Sequence, residues 1–298
     1  MLPAKILLTI VLMGSIPMWI RMVTGSPAEI GTVRLTWGLL LTVVFFHRRI
    51  DFLAVLRGSR EAGVPFYLLP VIGLFFGAHW FLYFESIQLS SASLGILALS
   101  TYGVHVTWMG AVFSSRHTSG RDWVAVLCSA LGAWVCAPAY DPQGQAFYGF
   151  MLGMLSAVFY AALPLLHQRA RALSLPTRGT AQFFFAWLVF APVASTQTWE
   201  LDTRSWVALT VLGVLCTFVA HNLWIEVTTA VRPATSGVLY YLAIPVTMVL
   251  DTLVLKNPPS VSQWGGAALI LAGNGFAWWS ATQRSTPVPS APVGEQPD

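Results

Sequence analysis

Seven ionisable side chains fall inside long apolar runs of this chain: Arg34, His79, Glu85, His105, His221, Glu226 and Asp251. Such groups cost roughly 2.5 to 3.5 kcal/mol each on insertion scales, so each is expected to face a cavity or a partner. His79 and His221 occupy matching places in two similar stretches, FGAHW from Phe76 and FVAHN from Phe218. Helical spacing sets Tyr83 and Ser86 beside the first histidine, and Trp224 and Thr228 beside the second. Paired imidazoles of this kind predict the wall of a polar cavity that exchanges protons near neutral pH. The alternative is that each imidazole ties its helix to a neighbour.

Tyr102, His105 and Trp108 recur every three residues and predict a second face, matched by a stripe of Tyr240, Ile244, Thr247 and Asp251. The expected solute-binding set is therefore His79, Tyr102, His105, Trp108, His221, Trp224, Tyr240 and Thr247, suited to a ring or an amine. Aromatic packing and interface anchoring are the competing use of those rings. Arg34 and Asp251 are expected to form a buried ion pair or gate, with Glu29, Glu85 or lipid headgroups as other partners for Arg34. Glu85 and Glu226 lie close enough to run ends to be solvated, and Asn274 reads as a bridge between helices. There is no P-loop, nucleophile elbow, metal-ligand cluster or dinucleotide fingerprint. Catalytic residues, metals and cofactors are accordingly not expected.

These side chains must be positioned by elements that live in lipid. Of 298 residues, 56% are hydrophobic and 9% charged, against about one quarter charged in a soluble domain. The apolar runs are continuous rather than alternating, which predicts helices and not a barrel. A span needs about 20 residues, and the breaks predict ten: residues 4–20, 29–46, 64–88, 92–113, 122–138, 147–167, 180–198, 205–229, 233–255 and 262–282. The first has a lysine before an apolar run, as a signal peptide would. Pro17, Trp19 and Arg21 stand where a cleavage site belongs, so it reads as a mature helix.

Basic residues sort by side if the N-terminus is cytoplasmic. Lys5, Arg48, Arg49, Arg57, Arg60, Arg116, Arg121, Arg169, Arg171, Arg178, Arg232 and Arg284 fall inside, and Arg21, Arg204 and Lys256 outside. That partition predicts both termini in the cytoplasm and a cytoplasmic (inner or plasma) membrane. The net charge of +4 is spread singly over loops, which argues against nucleic acid as a partner. Cys128, Cys136 and Cys216 lie within apolar runs without metal spacing. Residues 285–298, rich in Pro and Ser, are expected to be a disordered tail.

The 142-residue offset between Phe76 and Phe218 also superposes Ala92 on Ala234, Gly95 on Gly237, Leu97 on Leu239, Val104 on Val246 and His105 on Thr247. A fainter echo places Gly14, Ser15 and Pro17 over Ala161, Ala162 and Pro164. Two halves are expected, residues 1–140 and 141–284. With five spans each, an odd number, the second must enter the membrane inverted. The paired halves, the G-S and Pro step in the first span, and the run from Phe76 to Ala137 resemble the EamA family of the drug/metabolite transporter superfamily. Members often carry a proline in the fourth span and glutamates after the fourth and ninth. Here those places read Gly103-Val104-His105, Ser115-Arg116 and Lys256-Asn257, while Pro245 keeps the proline of the ninth.

The resemblance implies ten helices and alternating access. The expected function is a secondary transporter, an exporter of a small organic metabolite such as an amino acid, with the lipid bilayer and protons as further partners. Two other classes remain open: a non-transporting receptor or assembly subunit, and an intramembrane enzyme using the histidines.

Overall fold

The computed structural model describes residues 2–113, 120–141, 143–230 and 239–282. The expected positions Ser115, Arg116, Arg232, Pro233, Arg284 and the tail 285–298 lie outside them. Among the described residues the chain is helical, and its one extended pairing is an isolated antiparallel bridge between Ser59 and Val64.

The helices are α1 (Leu2–Arg21), α2 (Pro27–Phe46), α3 (Phe52–Arg57), α4 (Leu68–Leu89), α5 (Ala92–Leu99), α6 (Tyr102–Phe113) and α7 (Gly120–Cys136). They continue as α8 (Gln145–Arg169), α9 (Leu175–Ala194), α10 (Thr203–Val211), α11 (Ala220–Ala230), α12 (Ala243–Leu253) and α13 (Val261–Thr282). A π-helical stretch, Leu212–Val219, fuses α10 to α11. By length and composition six described helices can cross a membrane: Ala4–Arg21, Pro27–Arg49, Leu68–Leu89, Ala92–Phe113, Gln145–Arg169 and Thr203–Ala230.

Local chemistry sets several starts. At α2 the run Ser26-Pro27-Ala28-Glu29 makes a capping box: Glu29 N–H donates to Ser26 Oγ, Glu29 Oε2 accepts from Ser26 N–H, and Pro27 needs no acceptor. Ser91 caps α5, Ser174 caps α9 and Asp202 caps α10 in the same sense. At Asp202 two hydrogen bonds from Ser205 hold the carboxyl below its ordinary range.

Two elements depart from the expected runs. The run 92–113 is divided between α5 and α6, because Ser100 Oγ and Thr101 Oγ1 donate back to the Leu97 and Ala98 carbonyls and interrupt the ladder. A short helix, α3, opens the connection between α2 and α4, with Asp51 accepting from Ala54 N–H at its start.

Packing places α4 against both α8 and α9, and α2 against α9 and the π-helical stretch. α1 lies on α12 and α11, while α5 and α6 lie on α8. α7 and α13 pair at one edge. Close crossings rest on glycine: a Cβ on Gly14 of α1 would meet Val246 and the Ala243 carbonyl of α12. Asn274 donates to Ser129 at 2.8 Å and so bridges α13 to α7.

Candidate functional site

The centre of the bundle is built from rings. His79 on α4 is 3% exposed. It stacks on Tyr160 of α8 with centroids 4.3 Å apart, and on Tyr83 one turn along at 5.7 Å. Tyr160 continues to Tyr102 at 5.0 Å and to Tyr240 at 5.4 Å, and Tyr240 to Trp224 at 5.9 Å. His221 on α11 makes T-shaped contacts with Phe76 and Trp80, with centroids 5.2 and 5.1 Å apart. Phe76 touches both histidines, so they belong to one cluster.

The hydrogen bonds fix which nitrogen of each imidazole is free. Ser156 Oγ donates to the His79 carbonyl at 2.8 Å and therefore has no proton left for the ring, so the 2.6 Å contact runs from His79 Nδ1–H to Ser156 Oγ. His221 Nδ1 likewise donates to the Cys216 carbonyl at 2.6 Å, since a carbonyl only accepts. In both rings Nε2 is the remaining atom able to take a proton or a solute donor.

Beside this cluster lies a cleft lined by residues of α4, α8, α9 and α11 that include Phe76, Tyr160, His167, Gln182, His221 and Trp224. It is narrow, with room for little more than a water-sized group. A solute could enter only if helices or side chains moved. His167 Nε2 meets Gln182 Oε1 at 2.7 Å, and Arg178 donates to the His167 carbonyl and to Thr229.

Of the expected solute-binding residues, His79, Tyr102, His221, Trp224 and Tyr240 come together. Trp108 does not: it is 39% exposed and pairs with Phe113. Three-residue steps on a helix of about 3.6 residues per turn drift by about 60° each, which carries Trp108 some 120° away from Tyr102. His105, between them, is half-buried. Thr247 is wholly buried, and its Oγ1 donates to the Gly14 carbonyl of α1 at 2.7 Å, a tie between helices.

Arg34 and Asp251 form no ion pair. Arg34 bonds Thr217 and lies over Trp80, while Asp251 faces Ser93 and Asn257. An ion pair joins Lys5 of α1 to Glu226 of α11 at 2.7 Å. Glu29, another of the partners expected for Arg34, is occupied in the cap of α2. Sequence reasoning passed over Tyr160, the ring that joins the two halves of the cluster. Flanked by Phe159 and Ala161 in an apolar run, it carries no polar or repeat signal.

Comparison with known proteins bears out the family resemblance. Residues 147–279 match the EamA-like transporter family. Over 294 residues, 92% of this chain and 95% of the relative, the chain is 24% identical to an uncharacterized transporter of Archaeoglobus fulgidus. A protein solved by crystallography shares the fold with a TM-score of 0.71 at 18% identity, covering 94% of this chain and 99% of its own.

Proposed function

We propose that this integral membrane protein, an EamA-like transporter over residues 147–279, is a secondary carrier that exports a small organic metabolite by alternating access. The observation that carries the reading is the buried ring cluster. His79, Tyr83 and Tyr102 come from residues 1–140, and Tyr160, His221, Trp224 and Tyr240 from residues 141–284. A site assembled from both halves changes its access when one half rocks against the other.

The packing supports two inverted five-helix halves. Exchanging them converts the contact of α1 with α12 into that of α8 with α5 and α6. It converts α4 on α9 into the π-helical stretch and α10 on α2, and it maps the α2–α9 and α7–α13 pairs onto themselves. In the ten-span reading, with both termini in the cytoplasm, the cleft of His167, Gln182 and Thr228 lies on the cytoplasmic side of the cluster.

Flux into and out of proteoliposomes, measured with a panel of radiolabelled metabolites, tests the proposal. At least one solute should exchange against its own gradient, and the exchange should fall at least tenfold in Tyr160→Ala. Absence of flux for every solute would leave a receptor or assembly subunit as the better reading.

A further inference from the structure

Arg34 is fully buried, and among the described residues no carboxylate lies within ion-pair distance of it. Its guanidinium is nonetheless held in one pose. Nε donates to Thr217 Oγ1 at 3.1 Å, and the Thr217 hydroxyl gives its own proton to the Leu212 carbonyl at 2.8 Å, so its lone pair is directed at Nε. The flat face of the guanidinium lies on Trp80, with Cζ 3.9 Å from the ring centroid, and Phe84 follows at 5.1 Å. What remains is the edge formed by Nη1 and Nη2, and neither atom has an acceptor.

A buried charge with unmet donors is costly, and a chain that retains one is organised for a counter-group. A guanidinium stacked on one face, bonded at Nε and open along its Nη edge presents the donor pair that a carboxylate takes bidentately. The surroundings do not suit a cation. Of the carboxylates, the buried Glu29 serves the cap of α2 and the buried Asp251 serves Ser93. Trp80 touches both Arg34 and His221, and His221 lines the cleft.

We infer that the solute is a small organic anion: its carboxylate is received by Nη1 and Nη2 of Arg34, and its apolar or aromatic body rests on the tyrosine–histidine cluster. This rests on the transporter reading of that site and narrows the cargo to acids without a balancing ammonium.

Thermal unfolding of the full chain in detergent, with benzoate, phenylacetate and hexanoate against their methyl esters and benzylamine, tests it. The acids should raise the midpoint in a saturable way, and the esters and the amine should not. Arg34→Gln should abolish the response. Arg34→Lys, which keeps the charge but loses the fork, should weaken apparent acid affinity at least tenfold and guards against a folding defect in the Gln variant. Equal responses to acids and esters, an unchanged acid response in Arg34→Lys, or no response of the wild type to any acid would each overturn the inference. Vesicle flux is read separately: a saturable acid response that Arg34→Gln abolishes, without flux of any solute, supports the anion site and sinks the transporter reading alone.

Discussion

Asp251 of α12 holds the first turn of α5: its Oδ2 accepts from the Ser93 backbone N–H at 2.9 Å and from the Ser93 hydroxyl at 2.5 Å. The N–H groups of a first helical turn have no partner within the helix, so a carboxylate from another helix completes α5 and fastens α12 to it. Asp251→Ala should strand two buried donors and destabilise the protein by about 2–5 kcal/mol. Asp251→Asn, which keeps one acceptor oxygen, should lie between. Midpoints of thermal unfolding in detergent give the order; an Ala variant as stable as wild type would refute it.

Gly132 and Gly266 approach each other reciprocally where α7 crosses α13. A Cβ on Gly132 would sit 2.6 Å from the Gly266 carbonyl oxygen, and one on Gly266 would sit 2.5 Å from that of Gly132. Backbone cannot rotate aside as a side chain can. Alanine at either position should therefore cost about 1–3 kcal/mol by forcing the helices apart. Gly265→Ala is the control, since its Cβ would meet only Val135 at 3.9 Å. Matching midpoints for Gly132→Ala and Gly265→Ala would contradict the crossing.

Thr217→Val should remove the acceptor of Arg34 Nε while preserving shape, leaving a further buried donor unmet at a cost of about 1–3 kcal/mol. Thr217→Ser retains the hydroxyl and should stay near wild type. The comparison is made in one denaturation series, and indistinguishable Val and Ser variants would mean that this hydrogen bond contributes nothing.

Transport by the proposed mechanism should depend on pH if the imidazoles exchange protons, and His79→Gln or His221→Gln should then flatten that dependence. Glutamine can still hydrogen-bond but cannot take up a proton at Nε2. Parallel pH profiles for wild type and both variants would leave the imidazoles as helix ties through Ser156 and the Cys216 carbonyl.

Much of the fold was legible because lipid imposes a simple rule, that long apolar runs become helices. The small-residue step at Gly14 was legible too, but not that it receives α12. Hydroxyls inside the fourth run hid its break, because Ser100 and Thr101 are individually compatible with a helix. The pairing expected for Arg34 failed for another reason. Sequence gives the depth of a charge but not which neighbour faces it, and Trp80 and Thr217 were as available to it as any carboxylate. Tyr160 was illegible because its importance lies in its contacts with His79, Tyr102 and Tyr240, which join distant segments.

The π-helical stretch Leu212–Val219 accommodates surplus length within an otherwise continuous helix. Since each residue of an α-helix advances the chain by about 100°, a surplus not taken up by the wider winding would turn everything after it. His221, Trp224 and Thr228 face the cleft as a group. A single-residue deletion within Leu212–Val219 would restore ordinary winding and leave all three side chains facing the cleft. The same deletion in the α-helical turns that follow, Ala220–Ala230, would act as a phase shift of about 100° on every side chain beyond it.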